Sequence, residues 1–165
     1  MATKAKSPIP EGMHTITAHL AVRDAAKAID FYKRALGAEE LFRMEGPGGK
    51  IGHAELKIGD SVIFLAEEFP QANCKSPQTL GGTTCSIHLY VPDADASFKK
   101  ATDAGAKVAM PLADMFWGDR YGTVVDPFGH SWGIATHIED LKPEEIDQRA
   151  QEFWASMQQQ QAKTA

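Results

Sequence analysis

The stretch His88-Leu89-Tyr90-Val91-Pro92-Asp93 reads HLYVPD, and His19-Leu20-Ala21-Val22-Arg23-Asp24 reads HLAVRD. His, Leu, Val and Asp stand in the same places in both. The match extends outward: "AHLAVRDAAKAIDFYKRALGAE" (18–39) lies over "IHLYVPDADASFKKATDAGAKV" (87–108). With one deletion, Gly37-Ala38 falls on Gly105-Ala106. Such a repeat speaks of fold before chemistry, because it implies two copies of one supersecondary unit.

Each copy opens with alternating residues, the pattern of a strand. Asp24 and Asp93 follow where a helix N-cap belongs, since an aspartate oxygen accepts from the open first-turn amides. Ala25, Ala28, Ile29, Tyr32 and Leu36 share one helical stripe, as do Ala94, Phe98, Ala101 and Ala104. Gly37 and Gly105 supply the left-handed residue that ends each helix. Glu39–Met44 and Lys107–Met110 read as further strands. "AELKIGDSVIFLAEE" (54–68) and "TVVDPFGHSWGIATH" (123–137) each read as strand, turn, strand. The predicted class is therefore α+β: two βαβββ modules whose pairing buries an apolar sheet face.

The layout is an N-terminal arm (1–13), a first module (14–68), a Pro/Gly/Ser-rich connector (69–83), a second module (84–137) and a C-terminal helix and tail (138–165). In the last, Ile146, Ala150, Phe153 and Met157 recur at helical spacing after Pro143, a stripe that docks on its own domain or on a second subunit. The first dozen residues and the glutamine-rich end are expected to fray.

Composition sets outer bounds. The 165 residues are 43% hydrophobic and 24% charged, with a formal charge of −5, which is ordinary for a soluble domain. No apolar run approaches the ~20 residues of a membrane span, and "MATKAKSPIPEG" lacks the apolar stretch of a secretory signal. Cys74 and Cys85 offer neither a disulfide framework nor a metal spacing, so a reducing, cytoplasmic setting is expected. An acidic chain without a basic stripe argues against nucleic-acid binding.

The repeat, together with "DFYKRALGAE" and "VVDPFGHSWGIATH", resembles the vicinal oxygen chelate superfamily, which includes glyoxalase I, extradiol dioxygenases, fosfomycin-modifying enzymes and bleomycin-resistance proteins. "MFWGDRYGTVVDPFGHSWGIATHIEDL" is most similar to its PhnB-like glyoxalase/bleomycin-resistance branch, and the resemblance covers residues 14–140. It implies mixed sheets curling around a cleft, usually in a homodimer. In metal-dependent members one ligand comes from the first and one from the last strand of each module. The matching phrases put those positions at Thr17, Ile63, Ser86 and Gly133. Two hydroxyls, an isoleucine and a glycine cannot supply the donors a divalent ion needs.

His19 and His88 sit two residues further along the same strands as Thr17 and Ser86, so alternation gives them the same face. With Glu67 and His137 they form a shifted set, chemically adequate for zinc, nickel, manganese or iron. The alternative is that both histidines are hydrogen-bonded cleft or core residues, with Glu67 and His137 at strand ends. His53 and Glu55 share one strand face and read as polar positions or as part of the cleft. Asp114–Gly122 brings Trp117 and Arg120 together beside glycines, where a ring supplies flat apolar area and Arg fixes an anionic group; a structural loop with Arg120 paired to an acid is the alternative. Phe128, His130 and Trp132 read as turn and packing residues.

Two functions follow. One is a protein that binds a small aromatic or oxygen-rich molecule, with no cofactor, through Thr17, His19, Ser86, His88, Trp117 and Arg120. The other is a glyoxalase-type lyase using a divalent metal at the shifted set, where a metal polarises oxygens and a base moves a proton. A small-molecule ligand and a second copy of the chain are the expected partners, with neither nucleic acid nor membrane.

Overall fold

The computed structural model describes residues 3–164. Its elements run β1 (His19–Val22), α1 (Ala25–Leu36), β2 (Glu39–Glu45), β3 (Ile51–Ile58), β4 (Ser61–Glu67), a single-turn α2 (Pro77–Leu80), β5 (Ser86–Tyr90), α3 (Ala94–Asp103), β6 (Lys107–Asp114), β7 (Asp119–Val125), β8 (Ser131–His137) and α4 (Pro143–Thr164). One sheet has the order β1-β4-β3-β2 and the other β5-β8-β7-β6. In each, the first strand runs parallel to the last while the remaining pairs are antiparallel. Registers agree as well: His19 pairs with Phe64, and His88 with Gly133. The repeated phrase is thus the trace of two copies of one mixed, open sheet.

Both helices start where the repeat places Asp. The Asp24 carboxylate accepts from the Lys27 amide at 3.3 Å, and Asp93 accepts from Ala96 at 2.9 Å. At α1 the end of β4 adds a second cap: Glu67 accepts from the amides of Asp24 (3.1 Å) and Ala25 (2.9 Å). Gly37, in the left-handed region, closes α1. The second helix ends differently, on a right-handed Ala104, with positive φ reached one residue later at Gly105.

The alanine stripes let the two helices pack on each other and on their own sheets. One core results, built from Leu20, Ile29, Tyr32 and Leu65 of the first unit and Val124, Phe128, Trp132 and Ile134 of the second. A buried carboxylate ties the units. Asp126 accepts from Tyr32 Oη (2.7 Å), Trp132 Nε1 (2.9 Å) and the amides of Phe128 (2.9 Å) and His130 (3.0 Å). Burial, and then this carboxylate, raise the Tyr32 phenol well above its ordinary pKa.

The connector is anchored. Glu68 accepts from Thr79 Oγ1, the Ser76 amide and hydroxyl, and Arg23. Those bonds, Thr79 first, hold its pKa down at about 2. Two boundaries depart from the sequence reading. β6 continues past Met110 to Asp114, and β7 begins at Asp119, so only a tight turn separates them. The C-terminal helix continues through the glutamines to Thr164, in line with the good helix propensity of Gln. Among the described residues, no helix is long and apolar enough to cross a membrane.

Candidate functional site

Alternation gives each strand a helix side and an open side. On the second sheet, Leu89, Val124, Trp132 and Ile134 turn to the core. His88, Tyr90, Tyr121 and His137 share the open face, by the pairings His88–Gly133, Tyr90–Ala135, Tyr121–Ala135 and Asp119–His137. The rings there form a platform. His88 stacks on Tyr121, with centroids 5.3 Å apart and planes at 5°, and meets Tyr90 at 4.6 Å. Trp117 stands edge-on to Tyr121 at 5.7 Å. Gly133 makes room for this: a Cβ there would lie 2.7 Å from the Tyr121 ring, so only glycine lets the ring lie across the strand.

Asp119 holds the platform from beneath. It is 3% exposed and accepts from His137 Nδ1 (2.8 Å), Tyr90 Oη (3.0 Å) and Trp117 Nε1 (3.0 Å). Burial alone would raise its pKa, but the bonds from His137, Tyr90 and Trp117 outweigh it, and the net shift is downward. The other His137 nitrogen faces Asp140 at 3.1 Å. Asp119 and then Asp140 raise the His137 pKa. The Tyr90 phenol is raised too, chiefly by its bond to Asp119.

On the first sheet, His19 meets His53 and Phe64 edge-on, each at 6.2 Å, and His53 Nε2 lies 3.5 Å from Glu55. Burial, then the neighbouring His53, lower the His19 pKa, so this ring favours its neutral form. His19 also borders a groove of about 710 Å³ with Cys74, Lys75 and Cys85. His88 and Tyr90 border a separate cavity of about 470 Å³ with Ser61 and Trp132. The two histidines of the repeat therefore head separate clusters.

Thr17 is half-buried ahead of β1. Ser86 shares a 3.1 Å hydrogen bond with Ser131. Trp117 joins His88 through Tyr121, but Arg120 does not join them. It is one residue from Asp119 in β7 and so points to the other face, where it grips Asp95 (2.7 Å) and Asp114 (3.1 Å) beside a hollow of about 440 Å³. Those carboxylates raise its pKa further. Glu67 is the α1 cap. Since Phe64 and Gly133 correspond, the residue matching Glu67 is Thr136, one short of His137. Ile63 is buried in the core, and Phe64 is level with His19 instead. Counting back from the hairpins misleads because their turns differ: Ile58 pairs directly with Ser61, whereas Val125 and Ser131 flank a longer turn. Among the described residues, no group of three or more His, Cys, Asp or Glu is arranged to hold a metal ion.

Sequence reasoning missed Tyr90, Asp119 and Tyr121. The available signals were parity with His88 for Tyr90, and an alternating Asp119, Tyr121, Thr123 series had Asp114–Gly122 been read as a hairpin.

A family model for the Glyoxalase/Bleomycin resistance protein/Dioxygenase superfamily matches residues 12–134. The chain belongs to that superfamily. An uncharacterized protein of Mycobacterium tuberculosis is 46% identical over 134 residues, covering 79% of each chain. TioX from Micromonospora sp. ML1 has a crystal structure with TM-score 0.61 and 32% identity, covering 76% of this chain and 99% of TioX. A gene product of Arabidopsis thaliana matches at TM-score 0.61 and 28% identity, covering 74% of this chain and 98% of its own. The resemblance places a metal level at Thr17, Ser86, Gly133 and either Ile63 or Phe64. Neither Ile63 nor Phe64 carries a donor atom in its side chain, and Gly133 has no side chain.

Proposed function

We propose that the protein binds a small, flat, oxygen-bearing aromatic molecule on the open face of the second sheet, without a metal at the superfamily's usual level. The observation that carries this reading is the stacked His88–Tyr121 pair with Trp117 edge-on, fixed from below by Asp119. Rings held in place offer stacking area at little entropic cost. The Thr123 hydroxyl donates to Tyr121 Oη at 3.1 Å, which leaves the Tyr121 proton free for a ligand oxygen. His88 and the Ser86–Ser131 pair add polar groups on the same face.

The metal-dependent lyase reading would need Glu67 and His137 as ligands. Glu67 is committed to two helix amides, and His137 to Asp119 and Asp140. A second copy of the chain is the protein partner we propose, because β2 exposes Leu41, Phe42 and Met44 along an open sheet. A cytoplasmic setting suits Cys74 and Cys85, which are both free thiols.

Calorimetric titration with anthraquinone sulfonate, a flat and anionic probe, tests the binding site. Trp117→Ala and Tyr121→Ala should each weaken binding about tenfold, the scale of a lost aromatic pair. Equal affinity in wild type and both variants would sink the assignment.

A further inference from the structure

The aromatic series does not stop at the sheet. Trp117 meets Phe116 edge-on at 4.9 Å, and Phe116 meets Phe153 at 5.3 Å and Trp154 at 6.4 Å. Phe153 and Trp154 themselves pack at 5.2 Å. Five successive ring contacts thus run from His88 in β5 to the middle of α4. The segment leading into the helix is anchored, since the amides of Ile138 (2.9 Å) and Glu139 (3.0 Å) donate to the Gly118 carbonyl, and Arg149 of the helix pairs with Glu139. Gly118 belongs to the same turn that carries Phe116 and Trp117, so the helix and the platform are set by one piece of backbone.

This helix lies outside what the superfamily shares. The family model ends at residue 134, whereas α4 spans Pro143–Thr164. TioX is matched over 99% of its length using only 76% of this chain. Trp154 nevertheless stays 56% exposed, a large ring presented to solvent beside the platform rather than sunk into a core. With Met157, one turn further on and 39% exposed, it leaves apolar area on α4 open to solvent.

We infer that α4 extends the ligand platform beyond the sheet, with Phe153 and Trp154 as specificity-determining residues that select multi-ring over single-ring ligands. This rests on the platform reading above. The oxygen-bearing end lies toward Tyr121, and the far rings pass Trp117 and Phe116 toward the α4 pair.

The test compares anthraquinone sulfonate with benzenesulfonate, which carries the same anionic group on one ring, on the full-length chain. Calorimetry measures the first and competition against it measures the second. Trp154→Ala and Phe153→Ala should each weaken anthraquinone sulfonate about tenfold, as for a lost aromatic pair, and leave benzenesulfonate unchanged. Equal weakening of both probes would make α4 a mere buttress for the Trp117 turn and overturn the inference. Unchanged affinity for both would also overturn it, while leaving the sheet platform intact if Tyr121→Ala still weakens them. If Tyr121→Ala has no effect either, the platform reading fails and this inference fails with it.

Discussion

At the scale of single residues, the Asp119–His137–Asp140 chain decides how the platform responds to pH. His137 has a raised pKa in the folded protein, so folding binds its proton more tightly than the unfolded chain does. Its contribution to stability is complete below the unfolded histidine value of about 6.5 and is lost as pH rises through the folded value. Asp119 works in the opposite window: its pKa is lowered, so its contribution holds above about 3.9 and fades as pH falls. Between neutral and alkaline pH only the histidine changes. We expect His137→Ala to lower the thermal midpoint more at pH 6 than at pH 9. A midpoint difference that is the same at both pH values would show that the proton on His137 is not what strengthens this chain.

At the scale of elements, β4 shows why parity matters more than motif. Glu67 looked like a ligand because it is acidic and near a strand end, but it follows Leu65 on the helix side of its sheet. From there it meets two unsatisfied amides at the start of α1. Glu67→Ala should cost about 1 kcal/mol, the usual range for a lost cap, read as a lower denaturant midpoint. Anthraquinone sulfonate affinity should not change; a tenfold loss of affinity would return Glu67 to the site. The same logic explains what the sequence revealed. Periodicity and caps are local, so the repeat, both helices and the hairpins could be read from it. Whether Arg120 or Asp119 faces the platform depends on where β7 starts, and that start is set by a backbone bond across the turn, Met115 amide to Asp119 carbonyl at 2.8 Å.

At the scale of the whole molecule, the two repeat units are not independent. The core mixes residues of both units. The Asp126 turn belongs to the second unit, yet its carboxylate accepts from Tyr32 of the first, at the centre of rings from Phe31, Phe128 and Trp132. Asp126 is 4% exposed, so a lost partner leaves a buried lone pair that water cannot easily reach. Tyr32→Phe keeps the ring packing and removes only the hydroxyl. The expected cost is about 1.5–3 kcal/mol, the usual contribution of a hydrogen bond to a charged group, since Asp126 keeps its bonds from Trp132 and the two amides. Because the bond spans both units, that loss should lower one shared transition in calorimetric unfolding rather than split off a partial one. Two separated transitions, with only the first unit shifted by Tyr32→Phe, would show instead that the repeat folds as two bodies and that Asp126 merely sits at their contact.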